Sequence, residues 1–194
     1  MLTKGDLIAF EQEVAEAFKG KRIRGPVHLS GGNEDALIEA FGNVGSDEWV
    51  FSTYRNHYHA LLHGIPREWL MREILAGRSM NVASQEHKFL TSAIVGGTLS
   101  IATGVAYAQK LKNANKMVHC FVGDMAATTG AFHEAYQYSM GHGLIIKFYI
   151  EDNAMSCDSP TQDCWGHVKG YPPKKEVIEY KRVYPHAGVG SNVF

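Results

Sequence analysis

Cysteine is scarce in this chain: Cys120, Cys157 and Cys164 are the three present among 194 residues. An odd count, behind a first stretch with no basic run followed by an apolar one, argues against a disulfide framework and against an export signal. Free thiols and a soluble, cytoplasmic protein are the expectation. A charge of one sign is missing too, since 19 basic and 20 acidic residues leave a formal net charge of -1. No global field then draws the chain to nucleic acid or to a membrane surface, and its partners must be recognised at particular sites. No run of about 18 apolar residues occurs, which excludes a membrane-spanning helix. Repeats and low-complexity tracts are absent as well. His57, His59 and His63 come without a His-Glu-x-x-His arrangement or a cysteine pair at zinc spacing, so they do not read as a zinc site.

What is present is enough apolar sequence, 45% of the residues, to bury a sizeable core. Length favours one domain spanning residues 1–194, compressed after residue 158. Thr3 and Asp6 form a capping-box pattern, and Leu7, Phe10, Val14 and Phe18 recur at helical spacing behind it. Trp49, Val50 and Phe51 read as a short buried strand. Pro66 opens a helix that carries Leu70, Ile74 and Leu75 and stops at Gly77, and residues 78–90 read as a loop. From Ile94 to Lys112 apolar residues alternate with Gly96, Gly97, Ser100, Ala102, Gly104, Ala106 and Ala108. That pattern predicts a buried helix, in the core or at an interface, approached closely by another backbone.

Two strands and a helix are clearest. Met117 to Val122 and Leu144 to Ile150 are strongly β-prone, and Ala131 to Met140 between them is helical. Strand, helix, strand means a parallel unit with ligands collecting beyond the carboxyl ends of its strands. The fold class expected is therefore α/β, a mainly parallel sheet with helices on both faces. Residues 174–183 match both strand and helix periodicity.

Asp124 follows one of these strands and Asn153 follows the other, so a carboxylate and an amide oxygen converge at one rim. Magnesium takes hard oxygen ligands in an octahedron and keeps positions for water and substrate phosphates. Gly123 and the small residues Ala126 and Ala127 let a helix amino terminus approach an anion. Taken singly, an Asp after a strand is more often a helix cap and Asp-Asn more often a turn.

The surrounding residues change that balance. Gly123-Asp124-Met125-Ala126-Ala127, Gly130, Glu134-Ala135-Tyr136 and Glu151-Asp152-Asn153 resemble the thiamine-diphosphate motif in alpha subunits of pyruvate and branched-chain 2-oxo acid dehydrogenases. His28-Leu29 with Gly32-Asn33-Glu34, Tyr54-Arg55-Asn56-His57, and Ile94-Val95-Gly96 with Gly104-Val105-Ala106 resemble further segments of that family, in order, over residues 24–158. The resemblance implies a thiamine-diphosphate-binding fold. It implies that Tyr54 and Arg55 contact the diphosphate and that Asp124, Asn153 and the carbonyl of Met155 hold magnesium. Gly123, Met125 and Ala126 would frame the diphosphate, and Ile94 and Val95 the aminopyrimidine. His28 would face the 2-oxo acid, and His186, in Tyr184-Pro185-His186-Ala187-Gly188, would be a second active-site histidine. The activity implied is decarboxylation of a 2-oxo acid with acyl transfer to a lipoyl carrier. A beta-type partner subunit would supply the glutamate that activates the cofactor.

Met125 and Tyr58 stand where the family has glycine, Thr128 where it often has asparagine, and family members are longer. Two other readings stay open: the amino-terminal half of a split transketolase-like enzyme, and a non-catalytic cofactor-binding paralogue.

Overall fold

Thr3 begins the first helix as its sequence predicts. Its side chain accepts the Asp6 N–H at 3.3 Å while the Asp6 carboxylate accepts the Thr3 N–H at 2.7 Å. The computed structural model describes residues 2–156, 159–166 and 176–183, so Cys157, Asp158 and His186 lie outside the described residues. Helix α1 (Lys4–Lys19) buries Leu7, Phe10, Val14 and Ala17. It packs with α2 (Glu34–Phe41), α3 (His57–Leu62) and α4 (Arg67–Leu75), the last capped by Pro66 and ended before Gly77. The strands are β1 (Trp49–Ser52), β2 (Ala83–Ser84), β3 (Phe89–Thr91), β4 (Val118–Gly123), β5 (Ile146–Asp152), β6 (Met155–Ser156), β7 (Ser159–Pro160) and β8 (Glu176–Glu179). Helices α5 (Leu99–Leu111), α6 (Gly130–Gly141) and α7 (Thr161–Trp165), with a 3-10 turn at Ala126–Thr128, complete the described elements.

Six strands form one sheet in the order β2-β3-β1-β4-β5-β8, and only the β2–β3 pair is antiparallel. Side chains alternate across the sheet, so each face has its own core. Val50, Phe89, Phe121, Tyr149 and Ile178 meet α1 to α4, whereas Phe51, Val118, Cys120, Val122, Phe148 and Ile150 meet α5 and α6. Helices thus cover both faces, the α/β arrangement expected from the sequence. Among the described residues no helix is long and apolar enough to cross a membrane.

Three expectations need correction. The segment 78–90 holds β2 and the start of β3, which at two and three residues are too short to show a period and are set by pairing with neighbours. The small-residue helix begins at Leu99, not at Ile94, because Gly96 adopts φ +73°, a left-handed conformation that interrupts a right-handed helix. That helix is also only half buried: Leu99, Ala102, Thr103 and Ala106 face the core, and a side chain added at Gly104 would meet nothing within 4 Å. Among the described residues, then, no other backbone closes on Gly104. The ambiguous segment 174–183 resolves in part into β8, whose extended form comes from its parallel pairing with β5.

Phe121 is the packing centre of the first face. Its ring stacks on Tyr149 at 4.3 Å and on Phe41 at 5.2 Å, and meets His59 edge-on at 4.7 Å, joining two strands to α2 and α3. It is fully buried. Replacing Phe121 by alanine is expected to cost roughly 3–5 kcal/mol in denaturant unfolding. A loss below about 1 kcal/mol would mean that the site collapses freely.

Candidate functional site

The sheet order dictates where a cleft opens. The chain leaves β1 for β3 on one side and returns, through α5, to β4 on the other, so the connections diverge between β1 and β4. In open α/β sheets ligands bind at such a switch point, beyond the carboxyl ends of the strands. A cleft of about 740 Å³, including its open mouth, lies there. Its walls are the segments that follow β1, β3, β4, β5 and β8.

Tyr54 and Arg55 follow β1 and line the cleft. The Arg55 Nη1 donates to the Leu29 carbonyl at 2.8 Å, and its guanidinium lies 5.6 Å from the Tyr54 ring centroid. These contacts orient a planar fork suited to bidentate hydrogen bonding with an anion. Ile94 and Val95 follow β3 at the mouth, where they are 74% and 56% exposed. Gly123, Asp124, Met125 and Ala126 follow β4 and form the floor.

Asp124 is buried, and Thr161 at the start of α7 donates its hydroxyl to the Asp124 Oδ2. The Trp165 indole N–H lies 2.7 Å from the Met125 Sδ, so α7 touches two consecutive floor residues. At the end of β5 the chain makes two side-chain turns in succession. Asp152 Oδ1 accepts the Ala154 N–H at 3.0 Å, and Asn153 Oδ1 accepts the Met155 N–H at 2.9 Å. Ala154 between them sits at φ +59°, unusual for a residue with a Cβ and a local cost that these bonds offset. The reversal leaves Asn153 and Met155 in the cleft wall, while Asp152 stays in the strand.

All ten residues expected to frame a cofactor therefore line one cleft, including the three expected to hold a metal. His28 does not line it. It lies on the adjoining loop with its ring 4.6 Å from that of Tyr54. Burial, with the Arg55 charge second and that of His57 third, pulls the His28 imidazole down to about 4. It is therefore neutral near pH 7. The other expected histidine, His186, falls outside the described residues.

The structure adds residues that local patterns did not single out. Ser30, Asn33 and Ser52 line the cleft, and each has a buried oxygen, Oγ, Oδ1 and Oγ respectively, with no hydrogen-bond partner among the described residues. Glu151 also lines it. Its Oε1 accepts from Asn33 Nδ2 at 2.9 Å, and His59 Nε2 lies 3.1 Å from its Oε2. Alternation along β5 places Glu151 on the α1-to-α4 side, a signal available from the sequence. Thr161 and Tyr180 had no such signal, since distant segments carry them in. Burial, followed by the Glu151 charge, raises the Tyr180 hydroxyl well above the usual phenol range.

A second, largely buried network holds the loop before α2. Glu11 of α1 accepts the Ser30 N–H at 3.0 Å and contacts His57 Nδ1 at 3.1 Å, while His57 Nε2 meets the Ser79 Oγ at 2.9 Å. Glu34 accepts the Gly32 N–H at 3.0 Å and the Tyr58 hydroxyl at 3.1 Å. A Cβ at Gly32, φ +95°, would stand 2.2 Å from the Lys181 carbonyl oxygen, so only glycine admits the segment that follows β8.

These features define an α/β protein with a polar cleft at the switch point of a parallel sheet. The particular family follows from comparison with known proteins: the chain belongs to the dehydrogenase E1 component family, whose profile matches residues 6–164. It is similar to the alpha subunit of acetoin:2,6-dichlorophenolindophenol oxidoreductase of Bacillus subtilis, 29% identical over 79% of this chain and 52% of that protein. The pyruvate dehydrogenase E1 component subunit alpha of Porphyra purpurea is 31% identical, covering 74% of this chain and 47% of that one. Its counterpart in Zymomonas mobilis is 30% identical, covering 82% and 48%. The chain thus spans about half the length of these relatives.

The histidine makes a checkable statement about pH. A folded value near 4 against an ordinary 6.5 means that the unfolded chain binds the additional proton between those limits. Stability gained from the neutral ring is present above pH 6.5 and lost as pH falls toward 4. An NMR titration should give His28 a midpoint near 4, and His28→Asn should flatten the rise of stability with pH across that window. A midpoint near the ordinary value would show that His28 is solvated.

Proposed function

We propose that this chain is the diphosphate- and metal-binding, alpha-type part of a thiamine-diphosphate-dependent 2-oxo acid dehydrogenase, acting with a beta-type partner. The observation that carries the reading is the convergence of Arg55, Asp124, Asn153 and Met155 on one cleft, in a chain of this family. The donor set fits the group. Buried oxygens of Ser30, Asn33 and Ser52 without partners suit a polar ligand, and a carboxylate, an amide oxygen and a carbonyl suit magnesium.

Arg55 and Tyr54 would hold the diphosphate, with Gly123, Met125 and Ala126 framing it. Asp124, Asn153 and the Met155 carbonyl would hold magnesium, and Ile94 and Val95 would support the aminopyrimidine. Bound there, thiamine diphosphate would supply the electron sink for decarboxylation. The neutral His28 ring, on the loop that adjoins the cleft beside Tyr54, would face a 2-oxo acid without a fixed positive charge. Release of the acyl group would go to a lipoyl carrier.

The partner is required by chemistry. Activation needs a carboxylate at the pyrimidine, remote from the diphosphate. Glu34 is engaged by Gly32 and Tyr58, Glu151 by Asn33 with His59 close by, and Glu86 and Glu134 are exposed. Ile94, Val95, Ile101 and Tyr107 meanwhile present apolar surface at the mouth and along α5, where a partner would cover it.

Calorimetry of the chain with thiamine diphosphate and magnesium, alone and with a beta-type protein from the same source, tests this reading. Binding should tighten with the partner. Asp124→Ala should abolish metal-dependent binding while the domain stays folded, because a carboxylate at a strand end adds little to the core. Unchanged affinity in the folded variant would remove the metal assignment. In a turnover assay the chain alone should be inactive on pyruvate, branched-chain 2-oxo acids and acetoin, the last included because of the acetoin-oxidising relative. Steady turnover without a partner would overturn the two-subunit reading.

A further inference from the structure

Asn153 ends in an amide whose two sides do different chemistry. Its Oδ1 accepts the Met155 N–H at 2.9 Å, and its Nδ2 donates to the Tyr180 hydroxyl oxygen at 3.0 Å. A backbone N–H can only donate, so the side of the amide facing Met155 has to be the oxygen. The NH2 side is then left for Tyr180, whose oxygen accepts. An amide oxygen has two lone pairs, and Met155 engages one of them. The other remains for a ligand in the cleft.

Tyr180 is not local to Asn153. It is the first residue after β8, it lines the same cleft, and its N–H donates to the Asp152 carbonyl at 3.1 Å, extending the parallel register that pairs Asp152 with Glu179. The sheet itself therefore delivers the phenol to the amide. Were the amide to rotate, its NH2 would face the Met155 donor and turn two protons toward any cation beside Asp124. The Met155 donor rejects that rotation, and the Tyr180 hydroxyl, which can donate or accept, pins the amide in its plane from the far side.

We infer that Tyr180 is a positioning residue: its hydroxyl holds the Asn153 amide with the oxygen turned toward the metal-binding side of the cleft. The inference rests on the proposed metal site and goes beyond it, because it assigns to the residue that follows β8 the orientation of a ligand that follows β5. A carboxylate at position 153 would have no wrong side to present, and that difference provides the test.

Manganese is the probe, titrated into the full chain with excess thiamine diphosphate and followed by electron paramagnetic resonance. The four proteins compared are the parent, Tyr180→Phe, Asn153→Asp and the double variant. Tyr180→Phe should weaken Mn2+ binding about tenfold, the usual scale for losing a group that orients a ligand. In the Asn153→Asp background the same change should cost less than about twofold, a deviation from additivity that direct packing would not produce. Equal losses in both backgrounds would overturn the inference and make Tyr180 a packing residue, and so would no loss in either. Absence of Mn2+ binding by the parent would instead remove the metal reading and the inference with it. Tyr180→Gln, which keeps an oxygen acceptor, serves as a second variant if the phenylalanine protein fails to fold. It should bind within about threefold of the parent, and a tenfold loss would count against the inference.

Discussion

The parallel pairing of β4 with β5 is the constraint on which the cleft depends. Six residue pairs, from Val118 with Ile146 to Gly123 with Glu151, lock the two strands in one register. Both faces of this pair are buried, so a slip by one residue would turn Phe121 and Tyr149 onto the wrong core and Glu151 away from Asn33. Because the register cannot slip, Asp124 and Asn153 emerge at the same rim. The ladder continues through Asp152 and Glu179, which carries Tyr180 to the same place.

Around this rim the protein uses buried polar networks where an apolar core would leave the loops loose. Glu11, His57 and Ser79 anchor the Ser30 backbone, and Asn33, just before α2, holds Glu151 with His59 of α3 beside it. Such groups are costly to bury and more costly to leave half satisfied, so together they favour a single geometry for the loop. The histidines of α3 and its C-cap divide along the same lines: His57 serves the loop and His59 the cleft, while the capping His63 packs beside Phe41 and Phe89.

The cleft is built from one side. Its polar atoms gather at the strand ends, while Ile94 and Val95 stand largely exposed at the mouth. In the proposed function a second subunit would cover these apolar residues, as exposed apolar patches often mark interaction sites. The neutral His28 and the oriented Arg55 guanidinium divide the electrostatic work in the proposed function, with fixed positive charge at the anion and a switchable proton donor next to it.

Much was legible in the sequence because it rests on local chemistry. The capping box of Thr3 and Asp6 and the helix behind Pro66 are short-range patterns, and so is the strand-helix-strand unit that carries Asp124 and Asn153. The motif residues needed only the rule that loops at carboxyl strand ends converge. Other features had no local trace. β2 and β3 are too short for a period, and Gly96 ends a helical pattern by a backbone angle that composition does not reveal. Glu151 was written in the motif, yet its place in the cleft depends on Asn33 and His59, 118 and 92 residues away. Thr161 against Asp124 and Tyr180 against Asn153 were decided by tertiary structure alone, because each pair exists only once the sheet has brought distant strand ends together.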